Sequence, residues 1–282
     1  MKVRDNAFDL HKTGVEEFDW RDPYHLAVTI TWPVFTGLAF GGLLVVNAVF
    51  ALLYLLKAGA VQNLPSGDLA RAFFFSLETF ATVGYGEMAP QSLYGHAIAG
   101  VEIVVGMAWI AIFTGLLFVR FSRAQSKILF AESIVVAPHN GMPTLMIRIA
   151  NGRMTMLSHA SARLAILIAE RSSEGYVARN VYDLRLVRDT MPIFPLTWTM
   201  MHVIDETSPL HGLGVEDLKI KDIRFFVAVE ARDAALGQMV QDLAAYRPHQ
   251  VAFGYRYVDA VTVDEQGRTA ADISLLSQLM EA

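Results

Sequence analysis

Apolar residues fill two long stretches of the chain and alternate with polar ones over much of the remainder. Residues 33–56 carry no charge, and Lys57 closes the run. At ~1.5 Å of rise per residue this is a helix of about 36 Å, enough to cross a hydrocarbon core of ~30 Å. A second apolar stretch predicts a helix over 97–121, with Arg120 and Arg123 at its end. Gly100, Gly106, Ala108, Ala111 and Gly115 give it a small-residue face suited to close helix approach. Between the spans, residues 69–81 predict a helix too short to cross, with Ser66 and Asp68 as cap candidates. Ahead of the first span, Asp22 and Pro23 form an N-cap and first-turn pair. Trp20, Tyr24 and Trp32 there suit a helix lying on a membrane surface. Asn47, the strongly polar residue of the first span, is expected to make a packing hydrogen bond.

From Ile134 the period shortens to two. Asn140-Gly141 and Asn151-Gly152 flank the alternating Leu145, Ile147 and Ile149, a hairpin signature. Further strands are predicted at 162–169, 176–187, 197–204, 225–231, 250–257 and 260–263, a spacing that favours a two-sheet sandwich. Ser208-Pro209 opens a short helical stretch through Lys219, and the tail after Gly267 is weakly helical in pattern. The fold class is thus a membrane α unit, with two transmembrane helices and a re-entrant helix and loop, followed by an all-β sandwich. Its expected domains are 1–32 (N-terminus and surface helix), 33–123 (membrane unit) and 124–282 (sandwich).

Composition sharpens this picture. Charged residues make up 18%, against about 25% in soluble domains, and they thin out between Trp32 and Val119. A net charge of −5 argues against nucleic acid as a partner. The absence of cysteine excludes disulfides and thiolate metal sites. Met1 to Trp20 mixes charges of both signs and has no apolar core, so a secretory signal is not expected. Nothing suggests an enzyme: there is no nucleophile elbow, phosphate loop or His pair at helical metal spacing. His202 is expected to be a core or interface histidine rather than a ligand.

The stretch between the two spans carries the chemistry. Thr82-Val83-Gly84-Tyr85-Gly86 is the established potassium selectivity-filter sequence. Gly84 and Gly86 tolerate φ > 0, so successive carbonyls can turn to one side. The carbonyls of Thr82, Val83, Gly84 and Tyr85, with the Thr82 hydroxyl, then replace water around an alkali cation. Irregular backbone at membrane depth needs surrounding protein or a water-filled pore, and one copy cannot ring an ion. Several copies around an axis are therefore expected.

With both halves in view, the chain resembles prokaryotic inward-rectifier (KirBac) potassium channels from Asp22 to Asp259. Besides the filter, His202-Val-Ile-Asp-Glu-Thr-Ser-Pro-Leu210 resembles the cytoplasmic signature of that family and Gly254-Tyr-Arg-Tyr257 its late strand. The resemblance implies a homotetramer with K+ in the filter, no organic cofactor and an immunoglobulin-like cytoplasmic domain. It places the chain in the bacterial cytoplasmic membrane with both termini cytoplasmic. It implies no voltage sensor, and neither span carries an arginine ladder. A membrane-anchored binding or signalling protein with a non-conducting pore module is the competing expectation.

The resemblance also assigns individual residues. Glu78 supports the filter from the helix behind it; Met88 stands where eukaryotic relatives carry its arginine partner. Ile110 occupies the cavity position at which strong rectifiers place an acid that attracts Mg²⁺ and polyamines, implying weak block and weak rectification. Gly106 is either a bending point or a close-packing residue, and Phe118 resembles the aromatic closing the inner mouth. Arg120, Arg123 and Lys127 are either topology determinants or contacts for anionic lipid headgroups. Ile30-Thr31 replaces the basic pair of lipid-sensitive relatives. Residues 235–239, with Leu236, Gly237 and Met239, resemble the loop that narrows the cytoplasmic pore. Asp233 and Glu174 are candidate acids lining it, or else solvated surface residues.

Overall fold

The computed structural model describes residues 21–122, 127–171, 173–263 and 267–282, so Trp20 and Arg123 lie outside the described residues. The described residues form two compact units, before and after residue 123.

The first unit begins with α1 (Pro23–Thr29), where the Asp22 carboxylate accepts from the His25 amide at 2.9 Å and Pro23 sits in the first turn. Next, α2 spans Trp32–Leu55. A short strand β1 (Val61–Gln62) precedes α3 (Leu69–Phe80), whose cap is Asp68, accepting from the Arg71 amide at 3.0 Å. Strand β2 (Ala89–Pro90) pairs antiparallel with β1, Val61 opposite Pro90 and Gln62 opposite Ala89. This ribbon has no signal in the sequence, because two-residue strands show no periodicity. Helix α4 runs Leu93–Phe121, four residues earlier than the pattern predicts. Ser92 supplies the missed start, its hydroxyl accepting from the Gly95 amide at 3.1 Å.

Helices α2 and α4 are long and apolar enough to cross a membrane, and only 22% and 11% of their most apolar windows are buried. A core helix of a soluble protein would be covered on most sides; these present apolar faces outward, as lipid or neighbouring helices require. Inside the unit, Phe50, Tyr54, Ala60, Val61, Phe75 and Ala99 form a buried cluster joining α2, α3 and α4.

The second unit is an immunoglobulin-like sandwich. Its strands begin with β3 (Ile128–Phe130), β4 (Ile134–His139), β5 (Met142–Asn151), β6 (Leu157–Arg171), β7 (Val177–Leu184), β8 (Thr190–Phe194) and β9 (Thr197–Val203). After α5 (Val215–Ile220) follow β10 (Arg224–Asp233), β11 (Met239–Tyr246) and β12 (Val251–Phe253). One sheet has the order β11-β10-β6-β7 with β8 also on β6; the other has β12-β4-β5-β3 with β9 on β5. Burial in β10 alternates strictly over most of its length, and in register Phe225 faces Ile166 and Val227 faces Leu164. Ile147, Ile149 and Met200 meet these residues from the other sheet, and Phe194 of β8 joins them from the same sheet, to close the core.

Several sequence expectations change here. The stretch 208–219 is helical only from Val215, because Ser208 and Asp205 instead build a turn. The predicted strand 250–257 is split at Gly254 (φ +77) into β12, parallel to β4, and β13 (Tyr255–Tyr257). The tail is not helical. A hairpin of β14 (Val261–Val263) and β15 (Thr269–Ala271) leads through one 3₁₀ turn to β16 (Leu279–Glu281), antiparallel to β13. β11 was missed because its run Asp242-Leu-Ala-Ala245 does not alternate.

Candidate functional site

The helix end at α3 sets up the site. The Val83 amide donates to the Glu78 carbonyl at 2.8 Å and the Thr82 amide to the Thr79 carbonyl at 3.0 Å. This is a Schellman closure, in which the residue just past the helix takes the left-handed conformation and is usually glycine. Here it is Thr82, at φ +58. A β-branched residue in that region is a genuine outlier costing of order 1–3 kcal/mol, and such strain collects at functional positions. Gly84 (φ +57) and Gly86 (φ +88) repeat the positive φ, while Val83 and Tyr85 do not. Alternating handedness turns the carbonyls of successive residues to the same side, whereas in an extended strand they alternate. The negative end of the α3 dipole leads into this oxygen row, a favourable place for a cation.

Within one chain, residues 82–86 are all exposed, Tyr85 at 79%. An unpaired loop of this kind is compatible with membrane depth only when other protein surrounds it. Its base is tied instead by the β1–β2 ribbon and by Asn63 Nδ2, which donates to the Glu87 carbonyl at 2.7 Å. Met88 packs onto the Phe50–Tyr54–Phe75 cluster. Glu78 reaches the loop through its backbone carbonyl, the acceptor for the Val83 amide.

Gly106 of α4 is a close-approach residue. A Cβ there would lie 2.2 Å from the Phe80 carbonyl oxygen at the end of α3. Gly100 and Gly115, assigned to the same small-residue face, meet nothing within 4 Å in the chain. Ile110, Thr114 and Phe118 are spaced by four and form an exposed stripe along α4, with Ile110 at 47% and Phe118 at 71%. Arg120 is already engaged. Its guanidinium donates to the Ala27 carbonyl at 2.6 Å and the Ile30 carbonyl at 2.8 Å, and stacks on Trp32 and Phe35 at 4.6 and 4.5 Å. It caps the C-terminal end of α1, a role the sequence did not suggest. Lys127 is exposed.

In the sandwich, Asp233 contradicts expectation. It is 3% exposed, and its Oδ1 accepts from the amides of Ala235 and Leu236 at 2.8 and 3.1 Å. The carboxylate closes the β10–β11 turn and is no lining acid. Glu174 is exposed at the β6–β7 turn, accepting from the Ser173 hydroxyl at 2.7 Å. Leu236 and Met239 are exposed, and Gly237 takes φ +65 between them. His202 is buried as a bridge: Nδ1 faces the Arg185 carbonyl and Nε2 the Ser208 hydroxyl, each at 2.8 Å. A carbonyl only accepts, so Nδ1 carries the proton. In the same signature, the Thr207 hydroxyl and amide both donate to Asp205, holding its carboxyl below the usual range.

Sequence reasoning missed Glu102, a fully buried acid on α4, and Arg148, a half-buried β5 residue stacked 4.6 Å over the Tyr257 ring. A lone acid in an apolar span was a signal that could have found Glu102.

Two membrane-length helices, a re-entrant helix between them and an exposed oxygen row after its left-handed end define a pore-forming membrane protein. The comparisons with known proteins agree. Residues 41–123 match the ion channel family and residues 128–282 the inward rectifier potassium channel C-terminal domain. The chain is 36% identical over 278 residues to the inward rectifier potassium channel Kirbac3.1 of Paramagnetospirillum magnetotacticum, covering 98% of this chain and 94% of that one. It is 29% identical over 225 residues to ATP-sensitive inward rectifier potassium channel 10 of Homo sapiens, covering 76% of this chain and 58% of the human one. The chain belongs to the inward-rectifier potassium channel family.

Proposed function

We propose that the chain assembles as a homotetramer whose four copies of residues 82–86 surround one axis and pass K+ passively and selectively. The observation that carries this is the alternation of φ sign through Thr82, Gly84 and Gly86, which aims one row of backbone oxygens per chain to a common side. Neutral carbonyl dipoles replace the hydration shell without a fixed charge to trap the ion. The exposed stripe of Ile110, Thr114 and Phe118 lines the cavity and inner mouth, where a ring of Phe118 side chains gates by dewetting. With isoleucine in the cavity, Mg²⁺ and polyamines block weakly and rectification is weak. The membrane is the bacterial cytoplasmic one, with both termini on the cytoplasmic side. Leu236, Gly237, Met239 and Glu174 belong to the cytoplasmic pore, and Arg123 and Lys127 are the residues for anionic headgroups.

Potassium efflux from liposomes containing the purified chain tests this. Barium-blocked flux that excludes sodium is expected. A tetrameric preparation passing sodium and potassium equally would refute it.

A further inference from the structure

Glu102 lies within the apolar length of α4 and is 0% exposed. Both of its oxygens are taken, one by the Ser76 hydroxyl of α3 and the other by the Tyr54 hydroxyl of α2. Ser76 Oγ also lies 3.1 Å from Asn47 Oδ1, and Asn47 Nδ2 donates to the Leu43 carbonyl at 2.8 Å. Ser76 has one proton, shared between Asn47 and Glu102. Asn47 and Ser76 are 0% exposed and Tyr54 is 1% exposed. One carboxyl thus ties three helices together where no water reaches.

A buried acid in a span is costly, and an apolar side chain of similar size commonly packs as well or better. Stability alone is therefore a poor reason for Glu102, and its position suggests another. Ser76 and Phe80 stand one turn apart on α3, as do Glu102 and Gly106 on α4. Glu102 bonds Ser76, and Gly106 is pressed on the Phe80 carbonyl. Two successive turns of α4 are thereby locked to two of α3. Phe80 is also the last residue before the closure that puts Thr82 at φ +58.

We propose that Glu102 is a positioning residue for ion selection. Resting on the pore reading above, the proposal is that its carboxyl fixes the height and tilt of α3, and so of the oxygen row that starts at Thr82.

The full chain in liposomes, with potassium and sodium flux measured in competition, tests this. The variants are Glu102→Gln, Glu102→Leu, Ser76→Ala and Tyr54→Phe, each checked as a tetramer by size exclusion. Glu102→Leu is expected to raise relative sodium permeability about tenfold or more and to weaken barium block; Ser76→Ala should do so in part. Glu102→Gln is expected to restore selectivity, because its amide accepts from one hydroxyl and donates to the other. Tetrameric Glu102→Leu channels with unchanged selectivity and barium block overturn the proposal. If that variant does not assemble, Ser76→Ala and Tyr54→Phe decide, and unchanged selectivity in both overturns it. A non-selective wild type is a different result, the failure of the pore reading itself.

Discussion

At the scale of single residues, the filter separates backbone strain from contact. Gly84 has φ +57, and a Cβ placed on it meets nothing within 4 Å. Gly84→Ala therefore adds no clash within the chain and acts by disfavouring the left-handed conformation, by about 1 kcal/mol or more. Potassium flux is expected to vanish while the tetramer persists on size exclusion; selective flux through the alanine variant would contradict the filter geometry. Thr82 carries the same strain natively, at φ +58. Ile110 gives a second residue-scale test. An acid there faces a polyamine across a few ångströms, where at an effective dielectric constant of ~20 each charge pair gains a few kcal/mol. Ile110→Asp should strengthen spermine block at least tenfold. Unchanged sensitivity would place Ile110 off the cavity.

At the scale of elements, legibility followed periodicity. Helix α2 was readable from the length of its uncharged run, α3 and β10 from burial that repeats at 3.6 and 2, and β5 from the alternating Leu145, Ile147 and Ile149 between its Asn-Gly flanks. The ribbon β1–β2 and the strands of the tail were not, being two or three residues long and held by distant partners: β16 pairs with β13. Asp233 shows the same limit at the candidate site. An acid near a turn has one appearance in sequence whether it faces water or caps amides, and only the fold shows it bonded to Ala235 and Leu236. Arg120 was legible as a charge but not as a cap, because the carbonyls it bonds lie on another helix. The turn through Asp205 allows a pH test. Bonds from Thr207 depress its carboxyl below the reference 3.8, so its contribution is complete above the unfolded value and is lost as pH falls through the lower folded value. The gap in thermal midpoint between wild type and Asp205→Asn should be constant near neutrality and shrink below about pH 4. A gap that widens on acidification would contradict the assignment.

At the scale of the whole molecule, Arg120 divides the three basic residues that follow the pore helices. Because its guanidinium spans two carbonyls of α1, Arg120→Lys is not a conservative change: one ammonium cannot reproduce the fork. Arg123 and Lys127 remain the proposed headgroup contacts, each expected to contribute about 1 kcal/mol and to be sensitive to salt. Arg123→Ala with Lys127→Ala should flatten the response of liposome flux to graded anionic lipid and leave ion selectivity intact. Arg120→Lys should alter flux even in neutral lipid. A retained lipid response in the double variant would make those residues topology determinants only. The cap has a further consequence, in time rather than space. Arg120 bonds carbonyls 93 and 90 positions earlier in the chain. At a synthesis rate of about 5–20 residues per second, its codon is read roughly 5 to 20 seconds after those of α1. Helix α1 therefore emerges with the carbonyls at its end uncapped and waits for the second span to be made. Seating α1 becomes a late step of biogenesis, one that a ribosome stalled before Arg120 cannot complete.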